Sequence, residues 1–575
     1  MATTYSPSAT ASTRAVHKRQ PRLEGAAKVT GGTIFTADLR LNHMVHVKVL
    51  RAPHAHALIR KLDVSRATAY PGVVGVYTAA NLPDHLPRDG ANRLLTIFAD
   101  KEVMYYGQAV AAVVSEQAAI AEEALDLIEV EYEELSAILD IAEALKPDAH
   151  LVRHSMEGID RSELAAHTAG ANSDEESTEK TPPNVTHRMV WSRGDVEKAF
   201  KEADVVVERS YQASWTHQGY IETMGAVVDC NRNGEYTVWT STQGDFATRE
   251  GLAKVLGVPE TKIRVEFVEM GGGFGAKIQP LAAAVPALIA RVLHRPVKYV
   301  YSRSEDLRSA DPSPQAYIEL KTSAKKDGTI TALKAKAVFD SGSFPGSPLM
   351  AGANLLGAYY KFPNLEIEGI EVITNRVSQG ALRAPGTPQA TFAIESNIDI
   401  MARELEMDPV EFRLKNGVEQ GDLMPNGRAF PKIGMIDVLQ RFQQTDFWKN
   451  RNKGPSATGK KVGVGLAVGA WLGGGSPSSA SLLLNPDGTV NVMVGSNDIT
   501  GTNTSFAQIA SEVLGLPIEK INVKSGGTGS APYAGVSAGS KTLRTIGLSV
   551  QRAAQDALDQ MFKIVSERLE CSPED

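Results

Sequence analysis

The sequence predicts an α+β protein of two or more domains, and three observations carry that expectation. At 575 residues the chain is longer than a single hydrophobic core usually spans. Segments that alternate apolar and polar residues are interleaved with segments whose apolar residues recur at helical spacing. The two periods also meet across a glycine run. Residues 262–268 alternate as a strand does, and Gly271-Gly272-Gly273-Phe274-Gly275-Ala276-Lys277 follows. Beyond it, Leu281, Val285, Leu288, Ile289 and Val292 recur on a helix face, with Pro280 where a first helical turn tolerates proline. A strand, bare backbone N–H groups and a positive helix end, so arranged, suit an anionic group such as a phosphate or a metal-bound oxygen.

The first unit is expected over residues 22–145. Strand-like stretches fall at 45–50, 73–77 and 109–115, a helix at 118–127 and a strand at 128–132. Arg51-Ala52-Pro53-His54-Ala55-His56-Ala57 sets two histidines at i, i+2, which share a face on a strand. No third ligand accompanies them, so a turn with partly buried imidazoles is favoured over a metal site. Residues 146–190 are polar, acidic and proline-bearing, as in Asn172-Ser173-Asp174-Glu175-Glu176-Ser177 and Thr181-Pro182-Pro183-Asn184, and read as a linker. Residues 1–21 read as a disordered tail, without the apolar stretch of a secretory signal.

The second unit, 191–448, opens with a capped helix start at Gly194-Asp195-Val196-Glu197-Lys198-Ala199-Phe200. Strands are expected at 205–208, 226–230, 236–240, 317–320 and 330–339, and helices at 394–405 and 409–416. The third, 449–575, begins with a polar, glycine-bearing stretch. It carries Gly473-Gly474-Gly475, Asp498-Ile499-Thr500-Gly501 and Gly526-Gly527-Thr528-Gly529, and closes on a helix at 548–569.

Sixty basic residues against 67 acidic ones give a net charge of −7, with no basic footprint for nucleic acid. No apolar run is long enough for a membrane span. Only Cys230 and Cys571 are present, so the chain has no cysteines for an iron–sulfur cluster. A reduced, cytoplasmic setting is the expectation.

Two nucleotide motifs are nearly matched. Gly271, Gly273 and Ala276 satisfy the dinucleotide fingerprint, with residues 297–301 as a second strand and Glu305 as the ribose acid. Fifty glycines make such a match weak alone, and a tight turn without ligand competes with it equally. Residues 535–542 fall one residue short of a phosphate loop, because Ser540 replaces the required glycine.

Taken together, the segments resemble the large, molybdopterin-binding subunit of the xanthine dehydrogenase and aldehyde oxidase family. The resemblance runs from Arg22 to the end of the chain. The first unit resembles the family's α/β hammerhead domain through Lys28-Val29-Thr30-Gly31, residues 51–57, Pro71-Gly72-Val73 and residues 103–111. The rest resembles a two-part molybdopterin-binding domain, its second part truncated. Its marks are Ser241-Thr242-Gln243, residues 271–277, Arg295-Pro296-Val297-Lys298, Arg383-Ala384-Pro385-Gly386 and Asp408-Pro409-Val410-Glu411-Phe412-Arg413. In this order they overrule the dinucleotide reading.

The resemblance implies that Gln243 hydrogen-bonds an oxygen on molybdenum, and that Gly271, Gly272, Gly273, Phe274 and Gly275 pass beside the metal and pterin. Arg383 is expected beside the metal centre, where a fixed cation stabilises negative charge on the substrate. Ser537, Ala538, Gly539, Ser540 and Thr542 are expected to wrap the cofactor, with Thr500, Gly501 and Thr502 as a further loop. The metal is then held by the pterin, in the cytosine dinucleotide form if the source is bacterial, and no side chain ligates it. The implied reaction is hydroxylation by water at an electron-poor carbon of a small molecule. Electrons leave through an iron–sulfur ([2Fe-2S]) subunit and an FAD-binding subunit, and a carboxylate serves as base.

Departures from the family pattern sharpen this. Ile278 stands where purine-oxidising members have a glutamate, and Pro385 where they have a ring-stacking phenylalanine, so a purine substrate is not expected. No cysteine lies between Asp340 and Arg383, where carbon monoxide dehydrogenases carry a copper-binding thiolate. Asp498-Ile499-Thr500-Gly501 replaces a Gly-Gln-Gly loop. No Gly-x-x-Glu follows Thr542, and Glu222, Asp245 and Asp340 do not match the base, so a separate chain is expected to supply the C-terminal part and its glutamate. A reductive relative acting on an aromatic acyl-CoA and a catalytically degenerate scaffold are the alternatives.

Overall fold

The computed structural model describes residues 15–87, 92–153, 182–451, 459, 463–499 and 501–573. Its first strands are β1 (Val45–Arg51), β2 (Ala57–Asp63), β3 (Val73–Thr78), β4 (Glu102–Val103), β5 (Ala109–Ser115) and β6 (Glu129–Glu134). There follow β7 (Val185–Arg193), β8 (Val205–Ala213), β9 (Gly225–Cys230), β10 (Tyr236–Thr240), β11 (Ile263–Glu266) and β12 (Val297–Val300). The remainder are β13 (Ala316–Ala324), β14 (Ile330–Asp340), β15 (Asn364–Val372), β16 (Ala480–Leu484), β17 (Val490–Val494) and β18 (Ile521–Ser525).

The first and second units share one sheet, ordered β11-β10-β9-β12-β1-β5-β3. Its seam is the parallel pairing of β1 with β12, Val45 opposite Val297. Strand β5 explains why 109–115 reads as an unbroken apolar run, since every one of its residues is buried. Ala112 and Val114 face the core built around the helix Leu281–Leu293, while Ala111 and Val113 face Ala121 and Ala124 of the helix Ala118–Leu125. Burying a valine side chain in this way contributes about 1.5–3 kcal/mol.

A second sheet, β7-β15-β14-β13-β8, is covered by the helices Leu349–Leu356 and Thr387–Glu404. Strand β7 starts at Val185, inside the stretch whose composition reads as a linker; residues 154–181 lie outside the described residues. The third unit has its own core. There β16-β17-β18 packs against the helices Thr502–Leu514 and Thr542–Leu569.

Several elements differ from expectation for identifiable reasons. The helix Asp245–Leu256 is weakly amphipathic in sequence, and it ends where Gly257 adopts the left-handed conformation. The helix after the glycine run begins at Leu281, with Pro280 as its N-cap, so its N-terminus lies beyond the glycines instead of opening at them. Of the N-terminal stretch read as a tail, residues 15–21 are described, and they lie along the helix Thr502–Leu514. Glu512 accepts the backbone N–H of Ala15 at 2.7 Å, and Gln508 donates to the Ala15 carbonyl at 3.0 Å. Backbone contacts of this kind leave no mark in composition. His56 spends both ring nitrogens on structure, at 2.6 Å to the Ser136 carbonyl and 2.7 Å to Glu102.

Candidate active site

Gln243 sits in the short link between β10 and the helix Asp245–Leu256, and it joins three segments distant in sequence. Its backbone N–H donates to the Lys277 carbonyl at 2.8 Å, and its carbonyl accepts the Ser537 N–H at 2.7 Å. Its side-chain Nε2 donates to the Ser537 carbonyl at 3.0 Å, and its Oε1 accepts the Gly275 N–H at 2.8 Å. A carbonyl partner on one side and an N–H on the other fix the amide's orientation. The close approach explains two glycines. A Cβ on Gly273 would stand 2.6 Å from Gln243 Oε1, and one on Gly275, whose φ is +117°, would stand 2.3 Å from the Ala381 carbonyl oxygen.

The glycine run is anchored from below by an ion pair. Glu222 accepts the Gly271 N–H at 2.8 Å and pairs with Lys277 Nζ at 2.9 Å. Lys277 is 1% exposed and its Nζ lies 4.7 Å from the centroid of the Tyr220 ring. Burial pushes the Lys277 ammonium down in pKa, and the Glu222 charge opposes that shift.

Phe274 takes a left-handed φ of +53° and leaves its ring partly exposed. Its carbonyl accepts the Arg383 N–H at 2.7 Å, which brings Arg383 to the glycine run. Ala384 follows with φ +59°, an uncommon conformation for a residue with a Cβ. The Arg383 side chain is exposed and makes no ion pair among the described residues. Pro385 beside it is buried.

The third unit contributes the segment 535–542. Gly539 (φ +61°) and Ser540 (φ +57°) turn the chain, the Gly539 carbonyl accepts the Gly474 N–H at 2.6 Å, and Thr542 starts the last helix. Lys541, absent from the sequence-derived site, is 6% exposed. Thr500 lies outside the described residues. The Gly501 and Thr502 N–H groups are already satisfied, at 2.7 and 2.8 Å, by the Asp498 carboxylate, which caps the helix Thr502–Leu514. An acidic residue just before a helix start is a sequence signal of such a cap.

Around Gln243 polar atoms are left without partners. Ser241 Oγ, Ser496 Oγ and Ser537 Oγ are buried and lack hydrogen bonds among the described residues, beside the Asp245 carboxyl and the Asn497 amide. Folded proteins leave few such atoms, so their concentration beside close-fitting glycines suits a ligand rich in nitrogen and oxygen, as a pterin is. Burial pushes the Asp245 carboxyl up to about 7. Asp340, by contrast, is saturated by Gly342, Thr374 and Gln379, although burial still raises it to about 6.

A cleft of about 450 Å³ opens between the helix Asp245–Leu256 and the segment 533–541. Ile278 lines it, with Phe246, Phe344 and Tyr533; Gln243, Arg383 and Pro385 are not among its lining residues.

Fold and site together define a molybdopterin-binding protein. Molybdopterin cofactor-binding domains match residues 177–417 and 439–575, and the aldehyde oxidase and xanthine dehydrogenase a/b hammerhead domain matches residues 30–136. A probable xanthine dehydrogenase component of Bacillus subtilis is 32% identical over 96% of this chain and 72% of its own length. The carbon monoxide dehydrogenase large chain of Afipia carboxidovorans is 29% identical over 96% and 71%. Among solved structures, quinoline 2-oxidoreductase from Pseudomonas putida superposes with a TM-score of 0.84 at 27% identity, covering 98% of this chain and 73% of that one. The chain belongs to the xanthine dehydrogenase and aldehyde oxidase family of molybdopterin-dependent oxidoreductase large subunits. Among the described residues no helix is long and apolar enough to cross a membrane.

Proposed function

We propose that this protein hydroxylates, with oxygen from water, an electron-poor carbon of an aromatic, N-heteroaromatic or aldehyde substrate. The observation that carries the reading is the four-bond seat of Gln243 between Gly275 and Ser537, ringed by unpartnered polar atoms. When bound, the molybdenum–pterin group supplies a redox centre that takes up two electrons as the carbon is oxidised. We assign it the cytosine dinucleotide form. Gln243, with its amide orientation fixed, positions the group from one side, and the backbone of 271–275 allows close approach without side chains. Ser537 Oγ and Ser241 Oγ offer free hydroxyls to its polar edge. Arg383, held at the Phe274 carbonyl and with no ion pair among the described residues, stabilises negative charge that develops on the substrate.

Cys230 and Cys571 are too few to ligate a cluster, so electrons pass to an iron–sulfur subunit and then to an FAD-binding subunit. We propose that the base is a carboxylate other than Glu222 or Asp340. Glu222 and Asp340 already spend carboxylate oxygens on Lys277, Gly271, Gly342, Thr374 and Gln379. The exposed Phe562, Ile564, Val565 and Leu569 on the last helix offer a partner chain an apolar surface. A cytoplasmic setting suits such an assembly. Turnover in H₂¹⁸O tests the reading. Label in the product supports it, whereas label entering only from ¹⁸O₂ contradicts it.

A further inference from the structure

We propose that Gln218 is a positioning residue for Arg383, its amide holding the loop that carries the guanidinium in place against the glycine run. This deepens the proposed function and rests on it for the role of Arg383. Gln218 is 8% exposed. Its Nε2 donates to carbonyls on two separate segments, Asp311 at 2.5 Å and Ala381 at 2.8 Å. Two acceptors on the nitrogen side leave the amide one orientation, because a flip would set Oε1 against both carbonyls. Oε1 itself is buried with no hydrogen bond among the described residues, so the side chain holds its neighbours through its donors.

The first acceptor is a fixed post. The Asp311 carboxylate pairs with Arg93 and accepts from Ser378 Oγ, and the adjoining Pro312 carbonyl accepts the Gly380 N–H at 2.8 Å. Ala381, one residue further, is where the loop reaches the glycine run. The carbonyl oxygen that Gln218 holds is the one that would stand 2.3 Å from a Cβ on Gly275. Arg383 follows, with its N–H on the Phe274 carbonyl. Phe274 and Ala384 lie at that bond with φ of +53° and +59°, conformations that residues with a Cβ keep only where their surroundings impose them. Gln218 also stands four residues before Glu222, which accepts the Gly271 N–H at 2.8 Å. One short segment thus sets both walls of the site, the glycine run through Glu222 and the Arg383 loop through Gln218. The Arg383 side chain has no ion pair among the described residues, so the loop backbone decides where its charge stands. A misplacement of about 1 Å in a positioned group costs on the order of 100-fold in rate.

The test compares the assembled enzyme as parent, Gln218→Met, Gln218→Glu, Arg383→Ala, and Arg383→Ala with Gln218→Met. Both Gln218 variants keep the length of the side chain and remove its amide donors. Hydrogen exchange read by mass spectrometry follows the segment 380–386, and kcat/KM is measured with quinoline and benzaldehyde as probe substrates. Both Gln218 variants are expected to raise exchange in that segment roughly tenfold, as the loss of a buried hydrogen bond does. Their kcat/KM should fall roughly ten- to a hundredfold. In the Arg383→Ala background, Gln218→Met should change kcat/KM by less than about twofold, because the group it positions is gone. An equal loss in both backgrounds overturns the proposal, and so does parental exchange in both Gln218 variants. Failure of both variants to assemble also overturns it, since Gln218 would then serve the fold as a whole. If Arg383→Ala leaves kcat/KM unchanged, or neither probe is turned over, the functional reading fails, while the exchange data still decide whether Gln218 holds the loop.

Discussion

Gln243 and Ser537 exchange hydrogen bonds in both directions: the Ser537 N–H reaches the Gln243 carbonyl at 2.7 Å, and Gln243 Nε2 reaches the Ser537 carbonyl at 3.0 Å. The pair locks the two cofactor-binding regions together at the glycine run. Gln243→Ala is therefore expected to lower kcat by roughly 100- to 1,000-fold, on the order of 3–4 kcal/mol, as loss of one preorganised donor does. Steady-state kinetics of the assembled enzyme with pterin content measured alongside provide the check. Near-parental turnover with cofactor retained would show that the amide only ties the loops.

Arg383 differs from Gln243 in that its side chain has no ion pair or hydrogen bond among the described residues. Its side chain is exposed, and only its backbone N–H, at 2.7 Å from the Phe274 carbonyl, fixes its place. Arg383→Ala should leave the melting temperature within about a degree or two, since surface changes of this kind cost under ~0.5 kcal/mol. It should still reduce kcat/KM by about two orders of magnitude. A large fall in melting temperature with unchanged kcat/KM would reverse the assignment.

The Glu222–Lys277 pair should be a matter of stability. Lys277→Met leaves the Glu222 carboxylate without its cation under the glycine run, at an expected cost of about 3–5 kcal/mol. The double variant Lys277→Met, Glu222→Leu should recover part of that loss, because no charge remains to be buried. Denaturant unfolding of the three variants measures both values. A double variant less stable than Lys277→Met would contradict the account.

Asp245 gives the chain a pH dependence of definite sign. Its native pKa, about 7, lies above the ordinary aspartate value of 3.8, so the folded state keeps the proton longer than the unfolded chain. Stability from this group is full below about 3.8 and declines as pH rises toward 7, by ~1.4 kcal/mol per pH unit at most. Melting temperatures between pH 5 and 8 should fall more steeply in the parent than in Asp245→Asn. Parallel curves for the two proteins would remove Asp245 from the account.

Much of this architecture was legible because local patterns agreed with the fold. The strands at 45–50, 109–115 and 236–240 carry side-chain periods that tertiary packing did not override. An ordered set of short motifs singled out Gln243 and the residues 271–275, which the fold brings together. What stayed hidden depends on contacts between distant segments. Nothing local announces that β1 will pair with β12, or that Asp498 will occupy the helix end expected to face a ligand. Lys541 sat inside a motif whose hydroxyls and glycines drew attention. Its burial without an ion pair among the described residues emerges only when the neighbouring charges are paired off.

The central claim, that Gln243, the glycine run and the segment 535–542 cradle a molybdenum–pterin group, is met most directly by composition. The chain is isolated with its co-purifying partners, and molybdenum is measured by mass spectrometry and the pterin as its oxidised fluorescent derivative. About one of each per chain is expected, falling well below that in Gly275→Val, where a Cβ would stand 2.3 Å from the Ala381 carbonyl oxygen. A fully assembled parent complex that contains neither molybdenum nor pterin would contradict the account.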